Sequence, residues 1–209
     1  MTTHKEIEIK IALTQDEYQM LFDVLSQNAT PHTFVQNDFV CKLKTQEHVR
    51  IRIESDRAFL TIKKKIYNQQ GVFAYCQETE APIQPSTTHQ LNEMLYQMTV
   101  PCPPPLYYTQ PNILWQWITQ SLGEKINFCT QVQKQRTEFK KHNLTYVLDE
   151  VKKLGYFLEI EQIVPKEDEQ DETLLRQNLL EKAQTLGLQN KQPIQQGYSS
   201  LMHQLENAK

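Results

Sequence analysis

Several short stretches of this chain alternate charged with aliphatic residues, and their chemistry is legible from the spacing. Glu6 and Glu8 flank Ile7, and Lys10 follows Ile9; Arg50 and Arg52 are interleaved with Val49, Ile51 and Ile53; Lys63 follows Ile62, and Lys65 continues its parity. Downstream, Glu78 and Glu80, Lys134 and Arg136, and Glu159 and Glu161 are each two apart, while Asp149 sits between Leu148 and Glu150. Residues two apart on a strand share a face, so each stretch offers one charged and one apolar face. For any single strand, a solvated outer face is the simpler explanation. Taken together the strands argue otherwise, because a wet face usually mixes Thr, Ser, Gln, Lys and Glu. Here acidic pairs and basic pairs segregate, and the basic ones use the Arg and Lys that grip phosphate oxygens. If the sheet curls into a closed barrel, these faces line one cavity. Such a lining holds carboxylates for one or two divalent cations and cations for several phosphates, which suits a linear, highly charged anion bound with its metal. Oxygen donors favour a hard ion such as Mg.

The elements that must carry these residues are strands in the first half, at Glu6–Ile11 and about 33–42, 48–54, 58–67 and 72–82. Thr14 and Glu17 form a capping box that predicts a helix to about Ser26, with Met20, Leu21, Val24 and Leu25 on its apolar face. A second helix is expected over 86–98 and a third over 112–122, stopped by Gly123. Between them Pro101, Pro103, Pro104, Pro105 and Pro111 exclude regular structure and mark a surface excursion. Strands resume at about 125–140, 144–151 and 156–164, followed by a helix over 169–186 and a short closing segment at 197–205. Trp115 and Trp117 are expected to pack on the sheet rather than stack on a ligand, His48 and His142 are ordinary surface histidines, and Glu150 points away from Asp149 by alternation.

Composition narrows the function further. With 22 Lys+Arg against 25 Asp+Glu and a net charge of -3 over 209 residues, a general nucleic-acid coat is not expected, and the length suits a single domain over 1–209. The 5 glycines are too scattered for a phosphate-binding glycine loop, so side chains must do any phosphate binding. The 4 cysteines show no CxxC, and the 6 histidines show no HxxxH or HxH spacing, so neither zinc nor a disulfide framework is expected. With a polar start and no long apolar run, the reading is a cytoplasmic protein without a membrane segment.

Glu6-Ile7-Glu8-Ile9-Lys10 resembles the ExExK signature of the CYTH superfamily, the triphosphate tunnel metalloenzymes, which include class IV adenylyl cyclases, thiamine triphosphatases and inorganic triphosphatases. The resemblance continues in order through Val49-Arg50-Ile51-Arg52, Leu60-Thr61-Ile62-Lys63, Glu78-Thr79-Glu80 and Lys134-Gln135-Arg136. It ends with Leu148-Asp149-Glu150-Val151, Leu154-Gly155-Tyr156-Phe157-Leu158-Glu159-Ile160-Glu161 and Gly197-Tyr198-Ser199-Ser200-Leu201. There are two departures: Cys76 stands where many members carry an Arg, and the Pro101–Pro111 excursion lengthens the usual linker.

The resemblance implies an α+β fold, an eight-stranded antiparallel barrel forming a tunnel, with helices outside. It implies Mg or Mn held by Glu6, Glu8, Glu159 and Glu161 with Asp149 and Glu80 nearby, and a triphosphate clamped by Lys10, Arg50, Arg52, Lys63, Lys134 and Arg136. Catalysis would fall to Glu6, Glu8, Lys10, Asp149, Glu159 and Glu161, acting on a small-molecule triphosphate in a monomer or homodimer. Hydrolysis of tripolyphosphate, a nucleoside triphosphate or thiamine triphosphate is the leading expectation. A class IV cyclase making cyclic AMP and pyrophosphate, and a non-catalytic polyphosphate- or nucleotide-binding module, are the alternatives. Repulsion among like charges in one cavity further predicts that Arg52→Ala and Arg136→Ala stabilise the empty protein.

Overall fold

A computed structural model describes residues 4–67, 73–165 and 172–208. The first strand, β1 (His4–Leu13), leads through Thr14 into α1 (Gln15–Ser26), whose N-terminus carries both bonds of the expected capping box: the Thr14 hydroxyl accepts from the Glu17 N–H and the Glu17 carboxylate accepts from the Thr14 N–H. Strands β2 (His32–Leu43), β3 (His48–Glu54), β4 (Arg57–Tyr67) and β5 (Phe73–Pro82) follow, then α2 (Thr88–Gln97) and α3 (Pro111–Leu122). The chain returns through β6 (Ile126–Lys141), β7 (Leu144–Val151) and β8 (Gly155–Pro165) before α4 (Glu172–Thr185) and α5 (Tyr198–Asn207).

The eight strands form one sheet in the order β1-β8-β7-β6-β2-β3-β4-β5, and every pairing with a described register is antiparallel. This is the α+β architecture expected from the sequence; among the described residues the order is linear, with β1 and β5 at its ends. The proline-rich excursion differs from expectation, because Pro105–Thr109 form a short 3-10 turn. Proline suits the start of such a turn: its φ is already helical and its missing N–H needs no partner there. Tyr108 of that turn is buried and hydrogen-bonds Asn92 of α2.

The chain packs as two compact units, Met1–Val35 with Lys134–Gly197, and Gln36–Gln133 with Tyr198–Lys209. In the first, Ile7, Ile9 and Ile11 of β1 are buried with Leu148 of β7 and Ile160 of β8 under Leu21 and Leu25 of α1 and Leu175 and Leu179 of α4. In the second, Val49 and Ile51 of β3 and Leu60 and Ile62 of β4 are buried under Leu91 and Leu95 of α2 and Leu114 and Ile118 of α3. Helices therefore cover the apolar parity of the strands, which directs the charged parity to the other face. Trp115 and Trp117 pack against the second core, and the Trp117 indole donates to the Pro101 carbonyl.

Cys41 of β2 and Cys129 of β6 are joined in a disulfide, with Cα atoms 4.1 Å apart, while Cys102 is exposed and free. Spacing along the chain gave no sign of this pair, because strand pairing brings together residues separated by 88 positions. A cross-link closing so long a loop restricts the unfolded chain and contributes about 2–4 kcal/mol. Reduction is expected to release two thiols, counted by alkylation and mass spectrometry, and to lower the melting temperature by roughly 4–16 °C. An unchanged melt after complete reduction contradicts this. No described helix is long and apolar enough to cross a membrane.

Candidate functional site

The charged face of the first unit is assembled by register. β1 and β8 pair so that Glu8 opposes Glu161 and Lys10 opposes Glu159, and β6 and β7 pair so that Arg136 opposes Asp149. Gly155, at φ 97, makes the tight turn that folds β8 back along β7; this backbone region is readily open only to glycine. Carboxylate oxygens of Glu8, Glu159 and Glu161 lie within 4.8 Å of one another. Lys10 Nζ is 3.0 Å from Glu159 Oε1. The Arg136 guanidinium forks onto Asp149 at 2.9 and 2.7 Å, donates from Nη2 to Glu159, and places Nη1 3.6 Å from Glu161. Lys134 Nζ lies 3.4 Å from the same Asp149 carboxylate. Asp149 is 0% exposed and Glu159 4%.

These charges are locked. Burial pushes the Glu159 carboxyl up, but Lys10, Arg136 and Lys134 outweigh it and hold the group well below its ordinary 4.5. For Lys10, burial pushes down, but Glu159 and Glu8 hold it above 10.5. The depressed carboxyl contributes stability that is present above about 4.5 and lost as pH falls through its folded value. The raised ammonium contributes stability that is present below about 10.5 and lost as pH rises through its folded value. Urea midpoints measured across pH should therefore fall off below about 4.5, and that acid limb should be shallower in Glu159→Gln. An identical acid limb in the variant contradicts the assignment.

The second unit carries its own charged face. Asp38 opposes Arg52, Arg50 opposes Thr61, Thr61 opposes Glu80 and Lys63 opposes Glu78. Arg52 forks onto the buried Asp38 at 2.7 and 2.8 Å. Arg50 Nη2 lies 3.2 Å from Glu78 and 3.3 Å from Glu80, and donates to the Thr61 hydroxyl, which in turn donates to Glu80 at 2.7 Å. Lys63 Nζ is 2.6 Å from Glu78. Burial raises the Glu78 carboxyl, yet Lys63 and Arg50 prevail and leave it lowered.

Of the residues expected from the sequence, the structure thus gathers Glu8, Lys10, Lys134, Arg136, Asp149, Glu159 and Glu161 in the first unit and Arg50, Arg52, Lys63 and Glu80 in the second. Asp149 is not in the three-carboxylate group; it is the counter-ion of Arg136 and Lys134. The side chains of Glu6, Lys65 and Cys76 lie outside the described residues. Glu150 and His142 are exposed, and His48 is half-buried. Sequence reasoning missed Asp38 and Thr61; the available signal was a lone acid on the strand preceding Arg-x-Arg, and its meaning depends on the pairing register. The expectation of mutually repelling arginines also changes, because Arg52 and Arg136 are each forked to a buried carboxylate. Removing either cation takes a forked counter-ion from a buried carboxylate, which destabilises.

A family model for the CYTH domain matches residues 4–198. The chain belongs to the CYTH family. Solved structures share the CYTH fold at low identity. The PH1819 protein of Pyrococcus horikoshii OT3 is 22% identical with a TM-score of 0.61, over 95% of this chain and 99% of that one. A protein from Hippeastrum, described as the putative adenylyl cyclase HpAC1 with a dominant triphosphatase activity, is 16% identical with a TM-score of 0.56, over 94% and 93%. The Mimivirus capping enzyme triphosphatase is 12% identical with a TM-score of 0.53, over 88% and 89%. No curated protein sequence matches the chain.

Proposed function

We propose that this CYTH protein is a divalent-metal-dependent hydrolase of a triphosphate. The observation that carries the reading is the cross-strand opposition of Glu8 and Glu161 with Glu159 beside them. Like charges directly opposite on a sheet destabilise it, and three convergent carboxylates offer the oxygen-only donor set that fits Mg or Mn. When bound there, such an ion supplies Lewis-acid neutralisation of phosphate charge. The remaining work belongs to the chain. Glu8, Glu159 and Glu161 would offer oxygens to such an ion. Glu159 and Asp149 hold Lys10 and Arg136 in fixed orientation, so that cationic donors face developing phosphate charge without reorganising. Within the second unit, Arg50, Arg52 and Lys63, held by Glu78, Thr61 and Asp38, form a cationic group of their own that suits phosphate oxygens. The triphosphatase activity named for the Hippeastrum and Mimivirus proteins supports hydrolysis as the reaction class.

The test incubates purified protein with Mg or Mn and tripolyphosphate, ATP or thiamine triphosphate, and identifies the products. Orthophosphate release that requires metal supports hydrolysis; cyclic AMP with pyrophosphate from ATP replaces it with the cyclase reading; no turnover of any of the three overturns both. Binding gives a separate expectation. Metal neutralises part of the anion, so each ligand should tighten the other by about 1–3 kcal/mol, and tripolyphosphate plus Mg should raise the melting temperature by more than the sum of the separate shifts. Strictly additive shifts contradict a shared metal–phosphate site.

A further inference from the structure

β1 stands at one end of the strand order, so its outer edge must find hydrogen-bond partners outside the sheet. Two of them come from the C-terminal part of the same unit. Arg176 Nη1 of α4 donates to the Glu8 main-chain carbonyl at 2.7 Å, and the Ile194 N–H donates to the Lys10 carbonyl at 2.7 Å. The carbonyls belong to the two β1 residues whose side chains enter the acidic cluster. Both donors are anchored: α4 buries Leu175, Leu179 and Ala183 among the β1 isoleucines, and the segment before Ile194 is tied by Lys191 to Glu17 at 2.8 Å.

We infer that Arg176 is a positioning residue for the metal ligand Glu8, acting through the backbone. A strand edge held at the Glu8 carbonyl has its pleat fixed there, and the pleat sets where the Glu8 side chain points. Groups that orient a ligand from outside the metal's own contacts change affinity without touching the ion. The inference rests on the reading that Glu8, Glu159 and Glu161 hold a divalent cation. Its sign separates it from simple electrostatics. Arg176 is a cation, so deleting its charge near a cation site should tighten metal binding; loss of positioning should weaken it.

The experiment titrates the full-length protein with Mn2+, reading free Mn2+ by electron paramagnetic resonance, without substrate. The samples are wild type, Arg176→Met, Arg176→Lys and Lys182→Met, with melting temperatures measured in parallel. Lys182 is an exposed cation on the same helix with no described bond to β1, so it controls for charge. Arg176→Met is expected to weaken Mn2+ binding roughly tenfold, with a melting temperature close to wild type. Arg176→Lys, which keeps the charge and a donor, should weaken it less, and Lys182→Met should leave it unchanged or slightly tighter. Unchanged or tighter binding in Arg176→Met, or a greater loss in Arg176→Lys than in Arg176→Met, overturns the inference while the metal reading stands. No Mn2+ binding by wild type overturns the metal reading, and the inference with it.

Discussion

Glu159→Gln is expected to abolish triphosphate turnover and to destabilise the metal-free protein, whereas Glu8→Gln is expected to abolish turnover alone. Both substitutions remove the charge of a carboxylate in the three-oxygen group, and losing a ligand should cost at least roughly a hundredfold in metal affinity. Their structural settings differ. Glu159 is buried and bound to Lys10 and Arg136, so neutralising it leaves two buried cations short of a counter-charge. Breaking a buried pair from one side costs about 3–5 kcal/mol; because Gln keeps the shape and a carbonyl acceptor, the lower end applies. At about 2–4 °C per kcal/mol for a chain of this size, the metal-free melting temperature should drop by roughly 6–12 °C. Glu8 is not buried and no ion pair is described for it, so its variant should melt within a few degrees of wild type. Turnover with saturating Mn2+ and thermal melts in chelator measure the two effects. Near-normal activity in both variants defeats the metal assignment, and equal melts defeat the structural contrast.

Arg136→Met should lower the stability of the ligand-free protein by about 3–5 kcal/mol, the opposite sign to that expected from repulsion between like charges. Arg136 forks onto Asp149, which is 0% exposed, and also reaches Glu159 and Glu161. Burial pushes its guanidinium down, but Glu159, Asp149 and Glu161 outweigh it and hold the group well above the usual arginine value. Removing it leaves Asp149 with Lys134 at 3.4 Å, a longer contact than either bond of the fork. Replacing both members of a buried pair by apolar groups is often nearly neutral, so Arg136→Met with Asp149→Leu should be less destabilised than the sum of the two single variants. Only part of the loss should return, since Glue-like bridging of Glu159 and Glu161 by Arg136 is not restored. Urea denaturation of the four proteins gives the coupling energy. A stability gain in Arg136→Met, or strict additivity in the cycle, contradicts a paired buried cluster.

What the sequence determined is whatever depends on local periodicity. Alternation of Ile7, Ile9 and Ile11 with Glu8 and Lys10, and of Val49, Ile51 and Ile53 with Arg50 and Arg52, marked the strands and the face each charge occupies, because side-chain parity is a property of the single strand. Thr14 and Glu17 marked the start of α1 for the same reason, since a capping box closes within four residues. The ordered charged motifs identified the family. Only the tertiary structure decided which charges meet. That Asp38 forks Arg52, that Thr61 bridges Arg50 to Glu80, that Asp149 serves Arg136 rather than the three-carboxylate group, and that Cys41 bonds Cys129 all follow from strand order and register. Arg176 reaches Glu8 across 168 positions because helix packing puts α4 on the β1 edge. Register between distant strands is set by the burial of whole faces and by turns such as that at Gly155, and a one-residue slip would exchange every charged side chain for its aliphatic neighbour. No single strand carries that information, so the sign of the charges was legible in the sequence and their partners were not.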